Sequence, residues 1–174
     1  MNFLVELILK LGKVDRRWIF LIIGIVVLIP LIYPISLPVR ATATTQQAYD
    51  TIDNLKPNSK ILLSCEYGPS TKPEIHPMTT SVLRHLFRNG HKVYVVCLWA
   101  DGLFMAEEAL EEVAVNEFGL TYGVDYVLLG FRPGNEAVVK GIVSDIRKLY
   151  TIDARGTKVT EIPMMDGINK FEDF

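Results

Sequence analysis

Asn89-Gly-His-Lys-Val-Tyr-Val-Val-Cys-Leu-Trp99 is the stretch on which the fold turns. Asn-Gly terminates a helix, and His91 to Trp99 is rich in β-branched and aromatic residues, hence a strand. Its apolar residues do not alternate with polar ones, which is the pattern of a parallel strand covered on both faces. Upstream, Pro77 to Arg88 places Met78, Val82, Leu83, Leu86 and Phe87 on one helical face, with Pro77 suited to a first turn. Before it, Glu66 to His76 reads as a loop containing Gly68, Pro69 and Pro73, and Lys60-Ile-Leu-Leu-Ser-Cys65 as a short buried strand. Downstream, Leu103 to Glu117 reads as a helix and Tyr126 to Phe131 as a third strand. Pro133-Gly134-Asn135 then opens a helix whose Val139, Ile142, Val143, Ile146 and Leu149 are spaced for burial. Strands and helices alternating at this spacing imply parallel strands joined by right-handed crossovers.

The fold class is therefore α/β: a small three-layer, Rossmann-like domain with a mostly parallel sheet over residues 60–174. Val159 to Met164 is expected to add a short edge strand. Ile168, Phe171 and Phe174 follow at helical spacing. Three central strands are few for an open sheet. Either the domain is incomplete at its C-terminus, or another subunit completes the sheet, or a small sheet suffices.

The mean hydropathy of +0.25 is high for an ordinary domain. Much of the excess lies in Trp18 to Val39, a run without a charged side chain. Its length is that of a transmembrane helix, with Trp18 and Tyr33 where interface aromatics sit. Pro30 is expected to kink it and Pro34 and Pro38 to end it. Ala41-Thr42-Ala43 also fits a signal-peptidase pattern, but the run is longer than a signal core, which favours an uncleaved anchor. Lys10, Lys13, Arg16 and Arg17 precede the run and only Arg40 follows it before Lys56. That asymmetry puts the N-terminus in the cytoplasm and the main domain outside, in the periplasm or cell exterior. In residues 1–17, Phe3, Leu4, Leu7, Ile8 and Leu11 recur at helical spacing, as an amphipathic cytoplasmic leader or an extension of the membrane helix. Residues 40–59 read as a linker and a short helix around Gln46 to Leu55.

The chain has 174 residues and a net charge of −2. With four basic and two acidic side chains in residues 1–39, residues 40–174 carry −4, which argues against nucleic acid as a partner. His76, His85 and His91 lack paired ligand spacing, so neither a zinc site nor any other metal is expected. Phosphate-cradling glycine motifs are missing after the first strand, and no cofactor is expected. Ligands of open parallel sheets bind beyond the carboxyl ends of the strands. The loops there offer Glu66, Asp101, Arg132 and Asn135 as candidate ligand-binding residues, with no catalytic set among them. Glu66 and Asp101 are expected to face each other at adjacent strand ends, and Arg132 to hold an anion at a helix start. A Cys–His nucleophile would pair Cys65 with His76. Its alternatives are a buried strand thiol and a disulfide to Cys97 at the equivalent strand end. Glu107, Glu108, Glu111 and Glu112 form an acidic row, read as a solvated face or a surface for a cation or basic partner.

The stretches SCEYGPSTKPEIHPM (64–78), RNGHKVYVV (88–96) and YGVDYVLLGFRPGNEAVV (122–139) resemble a family of poorly characterised prokaryotic, single-pass membrane-anchored proteins with an extracytoplasmic Rossmann-like domain. The resemblance covers about residues 46–174. It implies fold and topology, and supplies no catalytic residues; members are commonly longer at the C-terminus. Two functions are expected to compete. One is a non-catalytic interaction, structural or assembly subunit of a membrane complex, whose partners are the lipid bilayer and a membrane protein or a second copy. The other is an extracytoplasmic ligand-binding or hydrolytic domain using the strand ends.

Overall fold

The computed structural model describes residues 15–33 and 40–174, in two units, Met1–Thr42 and Ala43–Phe174. The amphipathic leader and the end of the apolar run at Pro34 and Pro38 lie outside the described residues. In the first unit, α1 (Arg16–Ile32) is N-capped by Asp15, whose Oδ1 accepts from Arg17 N at 3.0 Å. Pro30 lies inside it, and its residues are exposed throughout. The helix runs 17 residues, a rise of about 25 Å. Among the described residues no helix is long and apolar enough to cross a membrane.

The second unit is the α/β domain. After α2 (Ala43–Asp53) come β1 (Lys60–Ser64), α3 (Lys72–Arg88), β2 (Lys92–Cys97), α4 (Ala100–Leu110), β3 (Tyr126–Phe131), α5 (Asn135–Ser144) and α6 (Ile146–Leu149). The sheet is parallel throughout, in the order β1-β2-β3, with Lys60 opposite Lys92 and Val93 opposite Tyr126. A bulge between Val95 and Val96 shifts the β3 register.

Both faces are covered, which explains the unbroken apolar strands. Val93, Val95 and Cys97 pack with Leu83, Leu86 and Phe87 of α3 and with Ala106, Ala109 and Leu110 of α4. Tyr94 and Val96 point the other way, against Val138, Ile142, Ile146 and the C-terminal Met165 and Ile168. Strand period two thus feeds two separate cores. α3 and α4 share one face, and the chain crosses to the other after β3. β2 and β3 are almost wholly buried; β1, at the edge, is not.

Several boundaries differ from those read in the sequence. α3 starts at Lys72, not Pro77: Pro73 occupies the first turn, and Pro77 lies inside the helix. Two prolines mimic a loop, yet Pro73 lies in the first turn, where no intrahelical bond is lost, and Pro77 removes one bond from a helix held by packing against the sheet. α4 starts at Ala100, so Asp101 lies in its first turn rather than a loop. It continues as a π-helical turn over Glu111–Glu117. The expected last helix breaks at Asp145, whose carboxylate caps α6 by accepting from Lys148 N at 3.1 Å.

The expected edge strand over 159–164 is instead a pair of 3-10 turns, Val159–Glu161 and Pro163–Met165. Its apolar residues are drawn into the second core rather than onto the sheet. The expected C-terminal helix is also not formed. A further 3-10 turn, Phe171–Asp173, is held by Asp173 Oδ2 accepting from Asn169 N and Lys170 N at 2.8 and 2.9 Å.

Candidate functional site

The carboxyl ends of the strands are locked together by close backbone approach. Gly102, in the first turn of α4, faces the Cys65 carbonyl, where a Cβ would lie 2.2 Å from the oxygen. Gly68 faces the Asp101 side chain, with a Cβ position 3.2 Å from Asp101 Oδ2. The loop after β1 and the start of α4 are therefore interleaved. This brings Glu66 and Asp101 to neighbouring strand ends.

Glu66 and Arg132 are engaged within the fold. Glu66 Oε1 accepts from Leu98 N at 2.8 Å and from Ser64 Oγ, tying β1 to the end of β2. Arg132 donates from Nε, Nη1 and Nη2 to the carbonyls of Leu149, Phe131 and Ile152 at 3.1, 2.9 and 3.2 Å. Its guanidinium lies 4.9 Å over the Tyr150 ring. It clamps the chain after α6 against β3, where the sequence reading had it holding an anion. Asn135 is the first residue of α5.

Tyr150 was not singled out from sequence. Among the described residues its buried hydroxyl has no hydrogen-bond partner, and burial pushes it up to about 12, with Arg132 opposing and Cys97 and Glu66 reinforcing the shift. Following a short basic helical turn, it carried no signal separating it from an ordinary core tyrosine.

His76 is not paired with Cys65. The Tyr67 hydroxyl lies 2.7 Å from His76 Nδ1, and His76 Nε2 lies 3.4 Å from Glu112 Oε2. Glu112 also accepts from Arg84 Nη2 at 2.7 Å, and Arg84 grips Glu117 from Nε at 2.7 Å and Nη2 at 2.5 Å. Lys72 pairs with Glu108 at 2.5 Å. Glu108 and Glu117 are held below the usual carboxylate range by these hydrogen bonds. Half of the acidic row, Glu108 and Glu112, thus pairs with α3 while remaining exposed.

The two cysteines are free. Burial, then Glu66, pushes the Cys65 thiol up to about 12. Cys97 is also pushed up, by burial first and then by Cys65 and Glu66. A neutral, enclosed thiol is not a nucleophile at neutral pH. Neither thiol is expected to react appreciably with an aromatic disulfide reagent at pH 8 in the native chain, and both are expected to react in denaturant. Fast labelling of either native thiol would contradict this arrangement.

Two cavities flank these elements. A polar cleft of about 540 Å³ lies between α2, α3 and the π turn, beside His85, which stacks on Tyr49 with ring centroids 4.3 Å apart. A groove of about 160 Å³ runs along β1, lined by Leu63, Cys65, Ile75, Met78 and Val82. Among the described residues, no group of three or more His, Cys, Asp or Glu is placed to hold a metal ion. Compared with models of protein families, with curated proteins and with solved structures, the chain matches none.

Proposed function

We propose that this chain is a membrane-anchored, non-catalytic α/β domain that serves as an interaction or assembly subunit of a membrane protein complex. The observation that carries this reading is the edge of the sheet. Ile61, Leu62 and Leu63 remain half-exposed, whereas β2 and β3 are almost wholly buried. An apolar strand edge is a template for another chain, and proteins that do not use such an edge usually cover or charge it. The engagement of Glu66 and Arg132 in bonds within the domain also favours assembly over chemistry.

The anchor is part of the proposal. Trp18 to Val39 carries no charge, and the described part of that run is a helix with its apolar side chains exposed. The basic residues before it orient the N-terminus to the cytoplasm and the domain to the periplasm or exterior. This agrees with the prokaryotic membrane-anchored family that the motifs resemble. The bilayer and a membrane-protein partner or second copy are the partners it calls for.

The test is extraction of the full chain from membranes in mild detergent, with the protein mass of the particle measured. A particle heavier than the single chain of 19.6 kDa is expected. A stable lone monomer at every concentration would sink the reading.

A second reading, a ligand-binding or hydrolytic domain, is favoured by the unpartnered Tyr150 hydroxyl under the strand ends. It requires that Tyr150→Phe abolish ligand binding or turnover while leaving the fold intact.

A further inference from the structure

We propose that the edge of β1 left unpaired among the described residues pairs antiparallel with the same edge of a second copy of this chain, about a two-fold axis through Leu63. Two three-stranded sheets become one sheet of six. The inference rests on the assembly reading above and names its partner.

The backbone offers the bonds. Lys92 N donates to Ser59 O, and Cys65 N to Val96 O, both at 3.0 Å. In a parallel ladder alternate residues face the neighbour. Ile61 and Leu63 therefore face β2, and Lys60, Leu62 and Ser64 direct N–H and C=O outward. The surface beside them is apolar. Leu63 borders the groove along β1, and Met78 on its far wall is 66% exposed.

The edge is also complementary to itself. With the axis on Leu63, Leu62 lies opposite Ser64, so residues with outward backbone groups meet as hydrogen-bonded pairs. Ile61 lies opposite Cys65. Lys60 lies opposite Glu66, and the two-fold makes that opposite-charge pair twice. Among the described residues the hydrogen bonds on Glu66 fall on Oε1, which leaves Oε2 for the lysine. An axis on Leu62 sets Lys60 against Ser64 and matches neither charge. A foreign strand has no need of this arrangement, whereas an isologous interface requires it. Anchoring, on the reading above, further raises the effective concentration of one copy near another.

The experiment uses the full chain in mild detergent, with sizing, circular dichroism and oxidative cross-linking. Leu63→Cys places thiols face to face in a non-hydrogen-bonded pair, where Cα atoms approach to about 4.5 Å, within disulfide reach. Most of that variant is expected as a covalent dimer on oxidation, and none of the wild type. Ser64→Pro removes an outward N–H together with the Oγ bond that holds Glu66, and leaves the β1–β2 ladder whole. It is expected to weaken dimerisation at least tenfold with an unchanged circular dichroism spectrum.

A wild-type dimer that Ser64→Pro leaves intact and Leu63→Cys does not cross-link overturns self-pairing and leaves the assembly reading standing. So does a particle holding this chain once among other proteins. A wild-type monomer overturns both. If Ser64→Pro fails to fold, the Leu63→Cys cross-link decides: its presence supports the pairing and its absence overturns it.

Discussion

Gly102→Ala is expected to destabilise the domain by about 3 kcal/mol, at the upper end of overpacking penalties. The added methyl would lie 2.2 Å from the Cys65 carbonyl oxygen and 3.7 Å from Cys97 Cβ. The first of these contacts is with backbone, so no rotamer change relieves it. Either α4 lifts from the sheet or the end of β1 bends away. Both movements pull on the bond from Leu98 N to Glu66 and open the packing around Cys65, which is buried in the first core. Denaturant unfolding of the full chain in detergent reads the effect directly. The native thiols give a second readout, because partial opening exposes Cys65 and raises its labelling rate. A variant within 0.5 kcal/mol of wild type, with thiols still protected, would show that the close approach is dispensable.

Asp153→Ala is expected to cost about 2–4 kcal/mol, the range for orphaning several buried partners of a carboxylate. Asp153 is a buried acid with its hydrogen bonds made locally. Oδ1 accepts from Arg155 N at 2.9 Å and Thr157 N at 2.7 Å, and Oδ2 accepts from the Tyr122 hydroxyl at 2.7 Å. Arg155 then lies with its guanidinium carbon 3.7 Å from the Tyr122 ring centroid. Truncation leaves two amides without an acceptor and loosens the turn that aligns Arg155. The Tyr122 hydroxyl loses less, since it also reaches Leu128 O at 3.3 Å. Asp153→Asn keeps one oxygen for the two amides and is expected to cost clearly less than alanine. Equal losses for Ala and Asn would mean that the charge, not the hydrogen-bonded turn, carries the stability.

What the sequence disclosed follows from the range of the interactions involved. β2 was legible because Val93, Val95 and Cys97 and their alternates Tyr94 and Val96 are all apolar, a property of the strand alone. That Glu66 and Asp101 follow neighbouring strand ends was legible because parallel strands end on the same side. The start of α3 was obscured because prolines at 73 and 77 read locally as loop, while the helix is held by packing against the sheet. The C-terminal turns were misread as strand and helix because burial of Ile162, Met164 and Ile168 imposes apolarity without a period. The occupation of Arg132 could not be read at all. Its acceptors at Leu149 and Ile152 are carbonyls, which every residue possesses, brought there only by the path of the chain. The Tyr67–His76 contact belongs to the same class, since it joins a loop residue to the helix that follows it.

The π-helical turn at Glu111–Glu117 bears on how this helix tolerates change in length. On an α-helix, residues five apart stand about 140° apart around the axis. Glu112 and Glu117 nevertheless both grip Arg84, because the wider turn brings residues five apart into near alignment. The extra residue works as a phase adjuster. It rewinds the end of the helix so that Glu117 and Phe118 face α3, Phe118 lying 6.2 Å from Phe87 between ring centroids. Removing one residue there would restore a regular helix with Glu112 and Glu117 four apart, about 40° around the axis, and keep both facing α3, whereas a deletion elsewhere in the helix would turn everything after it by about 100°.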